Sequence, residues 1–352
     1  MHFGLVSQSR SASTTNDGID SIPDAIVKRF IMDLMDFANK SIQRNYKVTQ
    51  ESVTEKQVQS AQETLDDIIK SLAIDANIKD INDKLMKLYT IIPRKMDNVK
   101  NFILSDIKNN KDLENARRFL SNEQDTLDTM SGQVKLIKQQ KEAIKNSSTT
   151  DDNTKKDLNI LEQMGLIIEV EKDIENINLI HKLIGDNKNR IKEIYKVENI
   201  KTQSIFDKNI KDAKNKFKRL YWHGSRNENW FNIIQTGLLI RPSGAIHTGS
   251  MFGDGIYFAD KSQKSLGYTS LSGSYWAKGN SSKGYLALFD VHLGNQKHIH
   301  NHDYSCYSLN ESKLQAENCD SVFAHGGADL RNNEYIVYHP KRCTIKYIIE
   351  MS

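Results

Sequence analysis

Apolar residues first fall into step at Ile26, Val27, Phe30, Ile31, Leu34 and Met35, the three-and-four spacing of a helix with one buried face. Pro23 stands where a first helical turn tolerates proline. Thr54 and Gln57 have the spacing of a capping box, and Val58, Ala61, Leu65, Ile68 and Leu72 continue as one stripe. Ile81, Leu85, Leu88 and Tyr89 predict a third helix, stopped at Pro93. Two more helices are read from Val99, Phe102, Ile103 and Ile107, and from Leu113, Ala116, Phe119 and Leu120. With residues 1–22 as a polar leader, residues 23–145 read as an all-α bundle without a strand signal.

The texture then changes. The polar stretch NSSTTDDNT marks residues 146–155 as a linker. A helix over about residues 171–184 ends at Gly185, a C-cap candidate. Beyond it RIKEIYKVENI, GIYFA, GYLALFDVHL, EYIVYH and TIKYII are rich in the β-branched and aromatic residues of strands. The expected fold class is α+β, a helical bundle followed by a mixed, mainly antiparallel sheet domain over residues 156–352.

A chain of 352 residues can bury two cores, and 38% hydrophobic with 27% charged residues is globular composition. A net charge of +4 is too small to name a polyanionic partner. Cys306, Cys319 and Cys343 lack CxxC spacing, which speaks against structural zinc and a disulfide framework and fits a reducing, intracellular setting. The first residues lack a signal-peptide pattern, and no apolar run could span a bilayer. A cytoplasmic chain is expected, nuclear if the organism is eukaryotic, with no membrane partner.

Three stretches could carry chemistry. His223-Gly224-Ser225 offers an imidazole, a hydroxyl and a glycine that lets a ligand approach the backbone. MFGDGIYFADKSQKSLGY brings a glycine-punctuated turn, a short strand, and a polar turn holding Lys264, Ser265 and Tyr268. NNEYIVY opens an apolar strand with Glu334. Each alone is ordinary: turn chemistry, a common glycine pair, a solvated acid. His292, His298, His300 and His302 read as solvated loop residues, so no metal is expected.

In order, YWHGSR, TGSMFGDGIYFADKSQKSLGY and NNEYIVY resemble the catalytic domain of poly(ADP-ribose) polymerases, in which a His, a Tyr and a Glu on a split β-sheet bind NAD and act on it. TEKQVQSAQETLDDI and KLYTIIPRKM resemble the helical regulatory domain that precedes it in the DNA-damage-responsive members. The resemblance implies Glu334, His223 and Tyr257 as the catalytic set. It implies His223 on the adenine ribose, and Gly224 and Ser265 on the nicotinamide carboxamide. Tyr257 and Tyr268 would lie about the ring, Ser225 and Asn229 along adenosine, with Phe258 and Lys264 completing the NAD-contacting set. NAD is then the substrate, and no metal is needed.

Departures accompany the match. The family often has arginine after GL, where this chain has Leu239, with Arg241 two residues on. The acid that relatives carry near the adenosine on the last regulatory helix falls, by loose alignment, at Ser121. The segment before NNEYIVY, which helps seat the acceptor in relatives, keeps no transferable motif. The implied activity is transfer of ADP-ribose from NAD to protein acceptors, including the chain itself, with elongation into polymer by a monomer. A mono-ADP-ribosyltransferase is the near alternative, a non-catalytic NAD sensor the next, and a secreted toxin a third. No DNA-reading domain is recognised, so DNA stays an open partner.

Overall fold

The computed structural model describes residues 16–74, 77–147, 159–240 and 251–352. Most of the expected leader and linker, and Arg241, lie outside these residues. After a short α1 (Asn16–Asp20), the helix α2 (Ala25–Asn45) is started by Asp24, whose carboxylate accepts from the N–H groups of Ile26 and Val27 at 2.8 and 3.1 Å. Pro23 therefore precedes the cap instead of sitting in the first turn. In α3 (Glu55–Ile74) the capping box is complete: the Gln57 N–H donates to Thr54 Oγ1 at 3.2 Å and the Thr54 N–H to Gln57 Oε1 at 3.0 Å. Helix α4 (Ile78–Ile91) stops two residues before Pro93.

The helix expected from Val99 to Ile107 is only a 3-10 turn, Val99–Phe102. The Asn82 amide offers the next stretch a better partner, accepting from the Leu104 N–H at 2.8 Å and donating to its carbonyl at 2.9 Å. The stripe at Leu113–Leu120 is only the first part of α5 (Asn110–Ser147). Its later turns show no single stripe because two bodies cover them: Leu127, Met130 and Val134 join the bundle core, and Leu136 joins the core of the sheets. Inside the bundle the buried Arg94 forks onto Glu123 at 2.6 and 3.3 Å and lies 5.1 Å over the Tyr46 ring and 5.4 Å over Tyr89.

The rest of the chain runs α6 (Ile160–Gln163), β1 (Leu166–Val170), α7 (Ile174–Ile184), β2 (Ile191–Asn199), α8 (Ile200–Asp212), β3 (Lys218–Gly224) and α9 (Trp230–Thr236). It continues through β4 (Ile256–Phe258), α10 (Ser262–Leu266), β5 (Gly284–His292), β6 (Gln296–Ile299), α11 (Glu311–Ala316), β7 (Ser321–Ala324), β8 (Glu334–Val337) and β9 (Cys343–Met351). Two sheets result, one antiparallel in the order β1-β2-β9-β5-β3 and one in the order β4-β8-β7-β6 with β6 and β7 parallel. The fold is α+β with a split sheet. Sequence reading foresaw β2, β4, β5, β8 and β9 and the Gly185 cap, where φ is 62°. It missed β1, which occupies the residues before Asp173 caps α7, and it missed α8, whose polar face outweighs its one buried residue, Phe206.

The bundle is not a separate body. Val27, Phe30, Ile31, Leu34 and Met35 of α2 belong to the core of the sheets, whereas Ile42 near its C-terminus belongs to the bundle core. Phe30 stacks on Tyr195 at 4.1 Å and meets Tyr285 edge-on at 5.7 Å. Around them Lys283 pairs with Asp33 at 2.5 Å and with the buried Glu350 at 3.3 Å, while the Tyr195 hydroxyl donates to Glu350 at 3.1 Å. Helix α5 crosses α9 at Gly132, where a Cβ would stand 2.8 Å from the Cβ of Asn232.

Two contacts stand out where the two sheets meet. Trp222 of β3 and Ala259 exchange backbone hydrogen bonds of 2.8 and 3.0 Å. A column of stacked rings runs from Tyr221 through Tyr335 at 4.1 Å, Phe323 at 4.6 Å and His325 at 3.9 Å to His300 at 4.0 Å.

At the α5–α9 crossing, Gly132→Ala forces the two helices apart. We expect a loss of about 1–3 kcal/mol in denaturant unfolding. A variant as stable as the parent would show that the crossing relaxes without cost.

Candidate active site

Strand β3 alternates, so Tyr221 and His223 leave the same face, and the bridge from Trp222 to Ala259 draws β4 alongside. His223 Nδ1 then lies 3.1 Å from the carbonyl oxygen of Tyr257. A carbonyl only accepts, so Nδ1 carries the proton, and Nε2 is the ring's acceptor in the neutral form. Burial pushes the His223 pKa below its ordinary value, opposed by that backbone hydrogen bond. Trp230, Phe258 and Phe289 surround the ring edge-on at 5.9–6.5 Å. Phe258 is thus a wall of the histidine's socket.

His223, Ser225, Asn229 and Tyr257 line a cavity of about 260 Å³ with Asn232, Leu239 and the α5 residues Gln124, Asp125 and Asp128. Asn229 Nδ2 donates to Ser225 Oγ at 3.0 Å. The acids here are Asp125 and Asp128, not a residue at Ser121, because α5 presents a face one turn further along than loose alignment places it. Asp125 keeps part of its surface open but is crowded, and burial pushes its carboxyl up to about 7. Arg226 pulls against that shift, and Asp128 and Glu228 add to it.

A second, larger cavity of about 1000 Å³ is lined by Lys264, Tyr268, Trp276, Arg331 and Glu334 among others. Lys264 and Ser265 sit on α10, a short helix where a polar turn was expected. Gly224 packs so closely on Ser265 that a Cβ would stand 2.0 Å from its carbonyl oxygen, so only glycine fits. Tyr268 faces Trp276 nearly parallel at 6.2 Å. The Tyr257 hydroxyl is tied down between the Phe252 N–H at 3.0 Å and the Gly253 carbonyl at 2.9 Å. The two tyrosines thus line different cavities, Tyr257 with His223 and Tyr268 with Glu334.

Glu334 opens β8 opposite Ala324 of β7, 6% exposed. Its Oε1 pairs with Lys264, whereas Oε2 is buried and has no hydrogen-bond partner among the described residues. A desolvated carboxylate oxygen with a free lone-pair side is costly and suited to answering positive charge. Burial lowers the Lys264 pKa to about 8, against the pull of Asp260. Asp260 is itself held by Asn333 Nδ2 at 2.8 Å. Sequence reading missed Asp125, Asp128, Asp260 and Trp276; the i, i+3 acids become visible only once α5 is known to pass the cleft.

His292 is not a solvated loop residue. It is buried, Nε2–H donating to the Asn215 carbonyl at 2.7 Å and Nδ1 accepting from Asn209 and Arg342 at 2.8 and 3.1 Å. His302 is half-buried, with Nε2 2.8 Å from the Met251 carbonyl oxygen. His298 and His300 are exposed as expected, but His298 lies on β6 instead of a loop, its Nδ1 2.8 Å from His325 Nε2, and His300 stacks on the His325 ring. Among the described residues no group of three or more His, Cys, Asp or Glu is placed to hold a metal, and no helix is long and apolar enough to cross a membrane.

Residues 169–352 match the family model described as the poly(ADP-ribose) polymerase catalytic domain. The chain is 33% identical over 186 residues to the putative poly [ADP-ribose] polymerase-like 100L of Invertebrate iridescent virus 6, covering 52% of this chain and 97% of that one. It is 26% identical over 325 residues to poly [ADP-ribose] polymerase of Drosophila melanogaster, covering 84% of this chain and 30% of that one. With poly [ADP-ribose] polymerase 2 of Homo sapiens it shares 31% identity over 159 residues, 38% of this chain and 26% of the relative. The chain thus spans nearly all of the viral relative but less than a third of the other two.

The raised Asp125 pKa has a signed consequence. Between the unfolded carboxylate value of 3.8 and the folded value of about 7, the folded chain holds the extra proton, so stability falls as pH rises through that window. Asp125→Asn removes this dependence. The gain in melting temperature should be absent near pH 3.8, grow up to about pH 7 and stay constant above it, as thermal unfolding across pH would show.

Proposed function

Because the chain belongs to the poly(ADP-ribose) polymerase family by its catalytic domain, and is by that membership an ADP-ribosyltransferase that uses NAD, we propose that it transfers ADP-ribose to protein acceptors, itself included, and elongates the product into polymer. The observation that carries this reading is Glu334: a buried carboxylate, paired through one oxygen with Lys264 and with the other unpartnered among the described residues, at the wall of a cavity large enough for the nicotinamide end and an acceptor.

His223 Nε2, Ser225 and Asn229 hold the adenosine half in the smaller cavity, and Asp125 and Asp128 close it from the bundle. Gly224 and Ser265, which pack on each other, read the carboxamide as the family resemblance implies, and Tyr268, in the larger cavity, offers its face to the pyridine ring. The bond between ribose C1′ and the nicotinamide nitrogen breaks, its electron pair leaving with the neutral base. Positive charge develops on the ribose, and the Glu334 carboxylate opposes it. An acceptor oxygen bonds to C1′ and gives up its proton to Glu334, which passes it to water. Acceptors can be protein side chains or, for elongation, ribose hydroxyls already attached. The retained glutamate favours elongation because a ribose hydroxyl is a weak nucleophile that needs the help of a base.

The test is incubation of the purified chain with labelled NAD, products resolved by gel, with Glu334→Gln alongside. The parent should give a long smear. The variant should still bind NAD by calorimetry, yet lose elongation by roughly 10²–10³-fold. Equal smears would remove Glu334 from the mechanism. A single sharp band from the parent would favour single-unit transfer, and NAD binding without label in either lane would favour a sensor.

A further inference from the structure

The segment from Lys208 to Arg219, KNIKDAKNKFKR, joins α8 to β3 and is not used by the transfer site. Its Lys208, Lys211, Lys214, Lys216, Lys218 and Arg219 are exposed, against one acid, Asp212. Lys218 is spent on Asp290. Among the described residues, Lys208, Lys211, Lys214 and Lys216 have no carboxylate within 4.0 Å. A chain of net charge +4 thus concentrates unpaired positive charge on one strip.

The strip is also rigidly held. The Asn215 carbonyl accepts from the buried His292 at 2.7 Å, and the Asn215 side chain bonds Asn295 at 2.8 Å. The Phe217 carbonyl accepts from the N–H groups of Leu293 and Gly294 at 2.9 and 3.1 Å. Arg342, which also reaches His292, is fixed at its other end by Asp320 at 2.6 Å. A buried network therefore fixes the backbone of the turn, while Lys214, Lys216 and Phe217 point outward. Phe217 is 38% exposed, with the Arg219 guanidinium 5.3 Å from its ring centre.

We propose that this strip is a binding surface for single-stranded nucleic acid. Unpaired lysines track phosphates, and an exposed phenylalanine beside an arginine offers a stacking platform to an unpaired base. A purely acidic protein partner would have no use for the ring, and a duplex would keep its bases from it. Strand β3 leads from this turn to His223 and Gly224, roughly 17–20 Å away at about 3.3 Å per residue. A bound strand thus lies beside the transfer cleft without entering it.

The test uses the full chain without NAD and follows the anisotropy of a fluorescein-labelled oligo-dT of about 20 nucleotides between about 50 and 200 mM salt. Lys214→Glu combined with Lys216→Glu should weaken binding by about tenfold or more and flatten the salt slope by roughly 1.4. Phe217→Ala should weaken it by about fivefold or more while leaving duplex binding of the same length unchanged. The double lysine variant lies wholly on the exposed turn and should keep its melting temperature and its turnover of NAD. Absence of binding at the lower salt, parental affinity in the double variant, or tighter binding of polyglutamate or of ADP-ribose polymer would each overturn the proposal.

Discussion

The structure hangs on a helix that belongs to two cores at once. Helix α2 gives Phe30, Ile31 and Leu34 to the core of the sheets, and Ile42 to the core of the bundle. Because apolar burial is the main favourable term, neither body can leave the other without exposing this helix to water. The charged fringe of Asp33, Lys283 and Glu350 adds direction more than strength, since Lys283 and Asp33 keep contact with solvent and only Glu350 is deeply buried. With α2 fixed, the bundle has one orientation on the sheets. The passage of α5 across α9, and so the place of Asp125 and Asp128 at the cleft, follows from it.

The site itself is a seam. His223 comes from the end of an edge strand of one sheet, Tyr257 and Glu334 from neighbouring strands of the other, and the Trp222–Ala259 bridge sets the spacing between them. Two cavities accompany this split, a smaller one walled partly by α5 of the bundle and a larger one that holds Tyr268 and Trp276. A dinucleotide has two such ends.

Much of this was legible in residues with strong local rules. The α3 capping box, the helix stop before Pro93, the Gly185 cap and the apolar strands all followed from backbone chemistry acting within a few positions. The site residues were read from ordered motifs; His223, Ser225, Asn229 and Tyr257 line one cavity and Lys264, Tyr268 and Glu334 another, whereas Gly224, Phe258 and Ser265 line neither. What stayed hidden depends on distant partners. The turn at Val99–Phe102 replaces a helix because Asn82 captures the Leu104 backbone. The later part of α5 has no readable stripe because two cores share its surface. His292 looked like a solvated loop residue, and only the fold reveals Asn209, Asn215 and Arg342 around it.

The ring column from Tyr221 to His300 has a consequence for how the protein is made. Its first member lies on β3, but Tyr335, which it needs as its next neighbour, lies on β8 beside Glu334, and β9 fills the middle of the other sheet later still. A ribosome must therefore have released the bundle, β3 and β5 before either the carboxylate or the central strand exists. Such long-range closure is slow, and until it happens neither sheet has its full set of strands. Order of synthesis alone therefore leaves the seam between the two sheets to be closed by the last strands made.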